Sequence, residues 1–347
     1  LFELREYRQV RKPIFFSSEE IIVLPSAMIK FPVGFLLTLL IAISPVRSDL
    51  LVKDGQKVVF MGDSITNLGW DLPGGYVHLV VDGLKTLGVN IVPVPAGISG
   101  QTSREMVART ETDVVGNKPD WLTLSCGVND VWHGAGGVEL DQYQKNITSI
   151  VDQAQAAGIK VMLLTSTPIG EDNPNPNNQK LVAYNDFLKQ LAKTRNLPIA
   201  DENAAFQTAI TAAATPGINA LTMDGVHPNP TGNVLMAKAI LAAFGATPDQ
   251  VNQAEQAWQD IPDLATYRLN LLFRVSYGVT LRQFQAIKAA AAQQKISVDE
   301  FNNRLFLQAM FETAKAHEGD ATTPSSDVVE VQMQNLLKAK IAALVKP

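Results

Sequence analysis

The sequence predicts a doubly wound, three-layer α/β/α sandwich on a parallel sheet of about five strands, followed by an all-helical extension. Three observations carry this. Five short stretches are nearly continuous apolar runs, as expected of strands buried on both faces of a sheet. Segments with apolar residues at helical spacing alternate with them. From about residue 246 the strand-like runs stop and helix-start signals take over.

Taken in order, residues 57–61 form a β-rich run closed by Gly62. Residues 76–87 carry Val77, Val80, Val81, Leu84 and Leu87 at helical spacing. A second strand is expected at 89–94, a second helix at 103–115 and a third strand at 121–126. Cys126, the one cysteine, reads as a small buried hydrophobe of that strand. An amphipathic helix follows at 140–157, stopped by Gly158, and then the apolar strand 159–165. A helix at 179–194, a short strand at 197–200 and helices at 203–214 and 231–244 complete the sandwich. In such sheets ligands sit beyond the carboxyl ends of the strands.

The extension, residues 246–347, opens with a capping box at Thr247 and Gln250, with Pro248 at the first helical position. Thr280 with Gln283, Ser297 with Glu300 and Asp327 with Glu330 repeat the pattern, and residues 321–326 read as a linker. Between residues 258 and 277, Tyr267, Leu269, Leu271, Leu272, Phe273 and Tyr277 exceed what one helix face needs. This segment is expected to dock on the α/β domain or on another subunit; the alternative is an independent helical module.

At the other end, Met28 to Lys30, the apolar run 31–43 and the segment 44–48 have the layout of a signal peptide cleaved after Ser48. The run is short for a membrane span, so an uncleaved anchor is the alternative. Residues 1–27, which begin at Leu1, read as upstream sequence before a start at Met28, leaving 49–245 as the α/β domain. A secreted or periplasmic protein is expected, with membrane contact only through an uncleaved leader.

The formal charge of the 347-residue chain is −5 and no Lys/Arg-rich run occurs, which argues against a nucleic-acid partner and against attraction to anionic membranes. One cysteine excludes an intrachain disulfide and a thiolate metal cluster. No metal-binding motif stands out, so neither a metal nor a cofactor is expected.

Chemistry-bearing residues gather in four blocks. Gly62, Asp63 and Ser64 follow the first strand, and a loop from Gly97 through Gly100 to Ser103 follows the second. Gly127, Asn129 and Asp130 follow the third strand, while Asp224 and His227 lie just before the last helix of the sandwich. The G-x-S-x-G elbow of α/β-hydrolases is absent, since Gly97 to Gly100 is one residue too short. Alone each block is a weak signal. In this order the four resemble the SGNH (GDSL-like) hydrolase superfamily, a flavodoxin-like fold, over residues 56–245.

That resemblance implies a serine ester hydrolase. Ser64 would be the nucleophile, His227 its general base and Asp224 the group that orients the imidazole. The backbone N–H groups of Ser64 and Gly100 and the Asn129 amide would form the oxyanion hole. Gly62, Asp63 and Asp130 are supporting residues, with Asp63 expected to bond local backbone. His133 either faces the pocket or is a solvated loop histidine, and the Pro- and Asn-rich stretch 168–178 either borders the pocket or is a surface connection. His78 and His317 receive no role. The expected substrates are esters of small acyl groups, including O-acetyl groups on carbohydrate; a lysophospholipase or thioesterase is the nearest alternative. An inactive carbohydrate-binding or scaffolding protein is the rival from another class, and the complete set of site residues speaks against it. Oligomeric state is left open.

Overall fold

Beyond residue 49, the computed structural model describes residues 50–212, 220–262, 264–270, 274–316 and 326–345. The leader, the segment before it, His317 and most of the expected 321–326 linker lie outside these residues.

β1 (Lys57–Gly62) runs between β2 (Val92–Gly97) and β3 (Trp121–Ser125), with β4 (Lys160–Leu164) and β5 (Ile199–Ala200) beyond, all parallel in the order β2-β1-β3-β4-β5. Val58, Val59, Phe60 and Met61 are fully buried, as a central strand covered on both faces requires. Burying each such side chain stabilises the fold by about 1.5–3 kcal/mol. The chain steps from β1 to β2 on one side and then to β3 on the other. The carboxyl ends of these strands therefore frame the crevice where such folds bind ligands.

The helices are α1 (Ser64–Asp71), α2 (Tyr76–Thr86), α3 (Ser103–Ala108), α4 (Thr110–Asp113), α5 (Val128–Trp132), α6 (Leu140–Ala156), α7 (Pro176–Arg195), α8 (Glu202–Ala212) and α9 (Pro230–Ala243). After them come α10 (Pro248–Trp258), α11 (Leu281–Gln293), α12 (Val298–Ala316) and α13 (Ser326–Leu344). Most lie where periodicity predicts. The second strand starts at Val92, not at residue 89, because residues 88 and 89 finish α2: their N–H groups return to the carbonyls of Lys85 and Leu84. The helix expected over 103–115 divides at Arg109, whose side chain is drawn to Gly62 O and Gln101 Oε1.

Two short helices, α1 and α5, form where loops were expected. In α1 the signal is local: Asp63 accepts from Ile65 N at 2.9 Å as an N-cap, Ile65 is buried, and Gly69 lies against the Tyr76 ring.

Among the described residues the extension is helical apart from one hairpin. β6 (Ala265–Asn270) and β7 (Arg274–Val279) pair antiparallel in the segment expected to contain no strand. The physical reason is visible in Val275, Tyr277 and Val279, which alternate with period two, and in the excess of large residues there. Residues 271–273 lie outside the described chain.

Val251, Ala254 and Trp258 of α10, with Leu264 and Leu281, belong to the same buried core as the sheet. Gly83 of α2 makes room for this, with Leu241, Trp258 and Ala254 packed over its Cα. A second core joins Tyr277, Phe284, Ile287, Phe301, Phe306, Leu337 and Ile341 across β7 and α11 to α13.

Candidate active site

Each block sits at the carboxyl edge of the sheet because each directly follows a strand or enters a helix there. Ser64, half-buried, is the first residue of α1, immediately beyond β1. Helical geometry leaves the first N–H groups of a helix without intrahelical acceptors, and the helix end carries partial positive charge. Asp63 satisfies Ile65 N, while the Ser64 N–H has no protein acceptor among the described residues.

Ser64 Oγ lies 2.8 Å from His227 Nε2, and His227 Nδ1 lies 2.7 Å from Asp224 Oδ2. The second carboxylate oxygen of Asp224 accepts from the backbone N–H groups of His227 at 2.8 Å and Val226 at 3.0 Å. Against a burial penalty that pushes its carboxyl up, the backbone N–H and imidazole of His227 hold Asp224 below the usual carboxylate range. Asp224 therefore stays charged and fixes the imidazole with Nε2 toward Ser64. One hydrogen bond thus joins two residues 163 positions apart in sequence.

The loop bearing Asp224 and His227 is narrow at its base. Thr222 pairs with Pro228 as an antiparallel bridge, and Met223 N donates to His227 O at 2.8 Å. Glu171, from the 168–178 stretch, accepts from Ala220 N at 2.6 Å and from Leu221 N and Thr222 N, both at 2.7 Å. It also accepts from Thr222 Oγ1 at 2.8 Å. Gly170 N donates to Gly225 O at 2.6 Å. The Pro- and Asn-rich stretch is thus a brace for this loop.

Gly100 has φ +80, which disfavours any side chain, and its N–H has no protein acceptor among the described residues. Asn129, buried on α5, donates one Nδ2 hydrogen to Gln101 O at 2.9 Å, which orients the amide and leaves its second hydrogen available. Asp130 ties the two loops together: its carboxylate accepts from Ser103 N at 3.0 Å and from Ser103 Oγ at 2.6 Å. Gly62 is needed for space, not for a left-handed turn, because a Cβ there would overlap the Thr66 side chain. Its carbonyl accepts from Ile98 N at 3.0 Å and from Arg109 Nη2 at 3.0 Å, joining the first and second blocks.

Burial pushes the Asp63 carboxyl up to about 6, with nearby Asp130 adding to the effect against the Ile65 N–H. Asp130 is also raised by burial, and the Cys126 thiol, buried beside it, is raised well above its ordinary value. Glu202, fully buried at the start of α8, has neither oxygen hydrogen-bonded among the described residues. Burial, then Asp201 and Asp63, push its carboxyl well above the usual range, favouring the neutral form. His133 is exposed beside Trp132, and His78 bonds Trp70 O at 2.6 Å and stacks on the Trp70 ring. Among the described residues no group of three or more His, Cys, Asp or Glu could hold a metal.

Glu171, Arg109 and Glu202 had no signal in the four blocks. Glu171 and Arg109 act through backbone atoms 49 and 47 positions away, at Ala220 and Gly62, and the Glu202 carboxyl has no hydrogen-bond partner among the described residues, so none announces itself by residue type.

The sequence profile of the GDSL-like Lipase/Acylhydrolase family matches residues 60–235. An acetylxylan esterase of Geobacillus stearothermophilus is 33% identical over 215 residues, covering 56% of this chain and 96% of the relative. Esterase TesA of Pseudomonas aeruginosa is 36% identical over 110 residues, covering 31% of this chain and 53% of TesA. Among solved structures, the Geobacillus acetylxylan esterase Axe2 superposes with a TM-score of 0.52 at 31% identity, over 57% of this chain and 98% of its own. Catalytic mutants of Axe2 replace a serine, an aspartate and a histidine, the last two three positions apart. The chain belongs to the GDSL-like lipase/acylhydrolase family, of SGNH type, and is a carboxylic ester hydrolase.

Proposed function

We propose that the protein is an exported esterase that removes small acyl groups, O-acetyl groups on carbohydrate among them, through a Ser64–His227–Asp224 triad. The observation that carries this is the unbroken run of hydrogen bonds from Ser64 Oγ through the imidazole to Asp224. His227 Nε2 takes the Ser64 proton as Oγ attacks the ester carbonyl, and Asp224 stabilises the imidazolium that develops. The tetrahedral oxyanion is met by the N–H groups of Ser64 and Gly100 and the free hydrogen of Asn129 Nδ2. Collapse expels the alcohol, protonated by His227, and water then repeats the cycle on the acyl-serine.

Two things support carbohydrate acetate over long acyl chains. The relative covered almost end to end is an acetylxylan esterase, with the same serine, aspartate and histidine chemistry and the same Asp-to-His spacing. In addition, Ile98, Trp132 and Met223, one on each of three site-bearing segments, leave large apolar side chains exposed, suited to the apolar face of a sugar. Export rests on the leader-like pattern over residues 28–48.

The test is hydrolysis of acetylated xylooligosaccharide and of p-nitrophenyl acetate, butyrate and octanoate. Activity is expected to fall with acyl length. Ser64→Ala is expected to abolish activity and fluorophosphonate labelling, and Asn129→Ala to lower kcat by about 10²–10³ with KM little changed. Labelling at another serine would remove Ser64, near-normal kcat would remove Asn129, and a preference for octanoate would favour a lysophospholipase or thioesterase. Expressed with its leader, the protein is expected outside the cytoplasm with Asp49 as its first residue. An intact leader on membrane-bound protein would make it an anchor.

A further inference from the structure

Lys288 of α11, in the extension, reaches the loop that carries Asp224 and His227. Its Nζ donates to Ala220 O at 2.8 Å. The N–H of the same residue donates to Glu171 Oε2 at 2.6 Å, so Ala220 is held from both sides of its backbone. Glu171 also accepts from Leu221 N, Thr222 N and Thr222 Oγ1, and Thr222 Oγ1 accepts in turn from Gly225 N at 3.1 Å. A continuous path of hydrogen bonds therefore runs from Lys288 through Ala220, Glu171 and Thr222 to the residue that follows Asp224.

We propose that Lys288 and Glu171 are positioning residues for the Asp224–His227 loop, and that the helical extension thereby sets the geometry of the active site. This rests on the triad proposed above. The chemistry suits the task. A carboxylate gathering three backbone N–H groups and a hydroxyl holds four donors at fixed directions. Lys288 is half-buried; burial pulls its ammonium down while the nearby Glu171 charge pulls it up. Its helix is anchored to the α/β body independently of this contact by Leu281, which lies in the main core, while Arg282 N donates to Gln259 O at 3.1 Å within the extension. The family profile ends at residue 235, and the sequence match to the acetylxylan esterase spans 56% of this chain and nearly all of the relative, so Lys288 lies outside the family match. Here the support for the loop comes in part from sequence added beyond it.

The experiment compares full-length wild type with Lys288→Met, Lys288→Arg, Glu171→Gln and the Lys288→Met/Glu171→Gln pair on p-nitrophenyl acetate. Lys288→Met keeps the aliphatic stem and removes only the donor and its charge. It is expected to lower kcat about ten-fold with KM within about two-fold, since a small misplacement of the base slows chemistry more than binding. The fluorophosphonate labelling rate of Ser64 is expected to fall in parallel. Lys288→Arg should restore most of kcat, and the pair should be no slower than Glu171→Gln alone. Wild-type kcat in Lys288→Met would overturn the proposal, and so would a loss confined to melting temperature or one that Lys288→Arg does not rescue. If Glu171→Gln does not fold, the Lys288 variants alone decide. Failure of the underlying triad is seen separately, as hydrolysis surviving in Ser64→Ala.

Discussion

Asp63 and Ser64 are adjacent in the chain and sit in different environments, one buried as the N-cap of α1 and the other half-buried as its first residue. Burial raises the Asp63 carboxyl to about 6 from an ordinary 3.8. A carboxyl that ionises less readily folded than unfolded contributes stability that is complete below about pH 4 and lost as pH rises through about 6. Above that window an ionised Asp63 costs roughly 3 kcal/mol. Asn would keep an oxygen for the Ile65 N–H without the charge. Asp63→Asn is therefore expected to raise unfolding free energy at pH 7 by about 1–3 kcal/mol and to lose that advantage at pH 4. Urea melts at the two pH values measure this, and equal effects at both would mean that Asp63 is not strained by its charge. At this scale the sequence nominates Ser64, Gly100, Asn129, Asp224 and His227, and the structure brings Ser64, His227 and Asp224 into one hydrogen-bonded run. Glu171 and Lys288 could not be nominated, since each acts through backbone atoms that carry no residue-type signal.

Among the elements, α10 shows how a helix outside the family match becomes part of the catalytic domain. The capping box expected at Thr247 is formed, with Gln250 N donating to Thr247 Oγ1 and Thr247 N to Gln250 Oε1. The helix then buries Val251, Ala254 and Trp258 against α2 and α9. Trp258 is fully buried and among the largest side chains in the core. Trp258→Ala is expected to destabilise the folded chain by about 3–5 kcal/mol, seen as a lower denaturation midpoint of the hydrolase activity itself. An unchanged midpoint would show that the hydrolase core stands without α10. The hairpin of β6 and β7 gives no distinct strand signal, because a dense cluster of large apolar residues fits both periodicities over so short a stretch. Helices α1 and α5, of eight and five residues, are too short to display a periodic face.

For the whole molecule, the extension meets the α/β body in two ways. Apolar packing joins α10, Leu264 and Leu281 to the main core, and a polar contact runs from Lys288 to Ala220. We propose on this basis that residues 246–347 are a docked extension and not an independent module. Ending the chain at Ala246 would expose the surface that Trp258 and Leu281 cover. It is expected to lower solubility and melting temperature and to reduce kcat by at least as much as Lys288→Met does. A truncated protein as soluble, stable and active as the full chain would make the extension a separate module.

The five strands of the parallel sheet and the longer helices that alternate with them, the nature of the four blocks and the residues most suited to acyl transfer were determined by the sequence alone. Strand burial, helix periodicity and caps are local properties, and nucleophile, base and orienting acid are recognisable residue types in a fixed order. Tertiary structure decided what depends on distant partners. It selected which loop carboxylate braces the loop bearing His227, which arginine joins the first two blocks, and which helix of the extension reaches Ala220. Sequence separation hides such contacts because a hydrogen bond to a backbone carbonyl can be made by any donor that folding brings within about 3 Å.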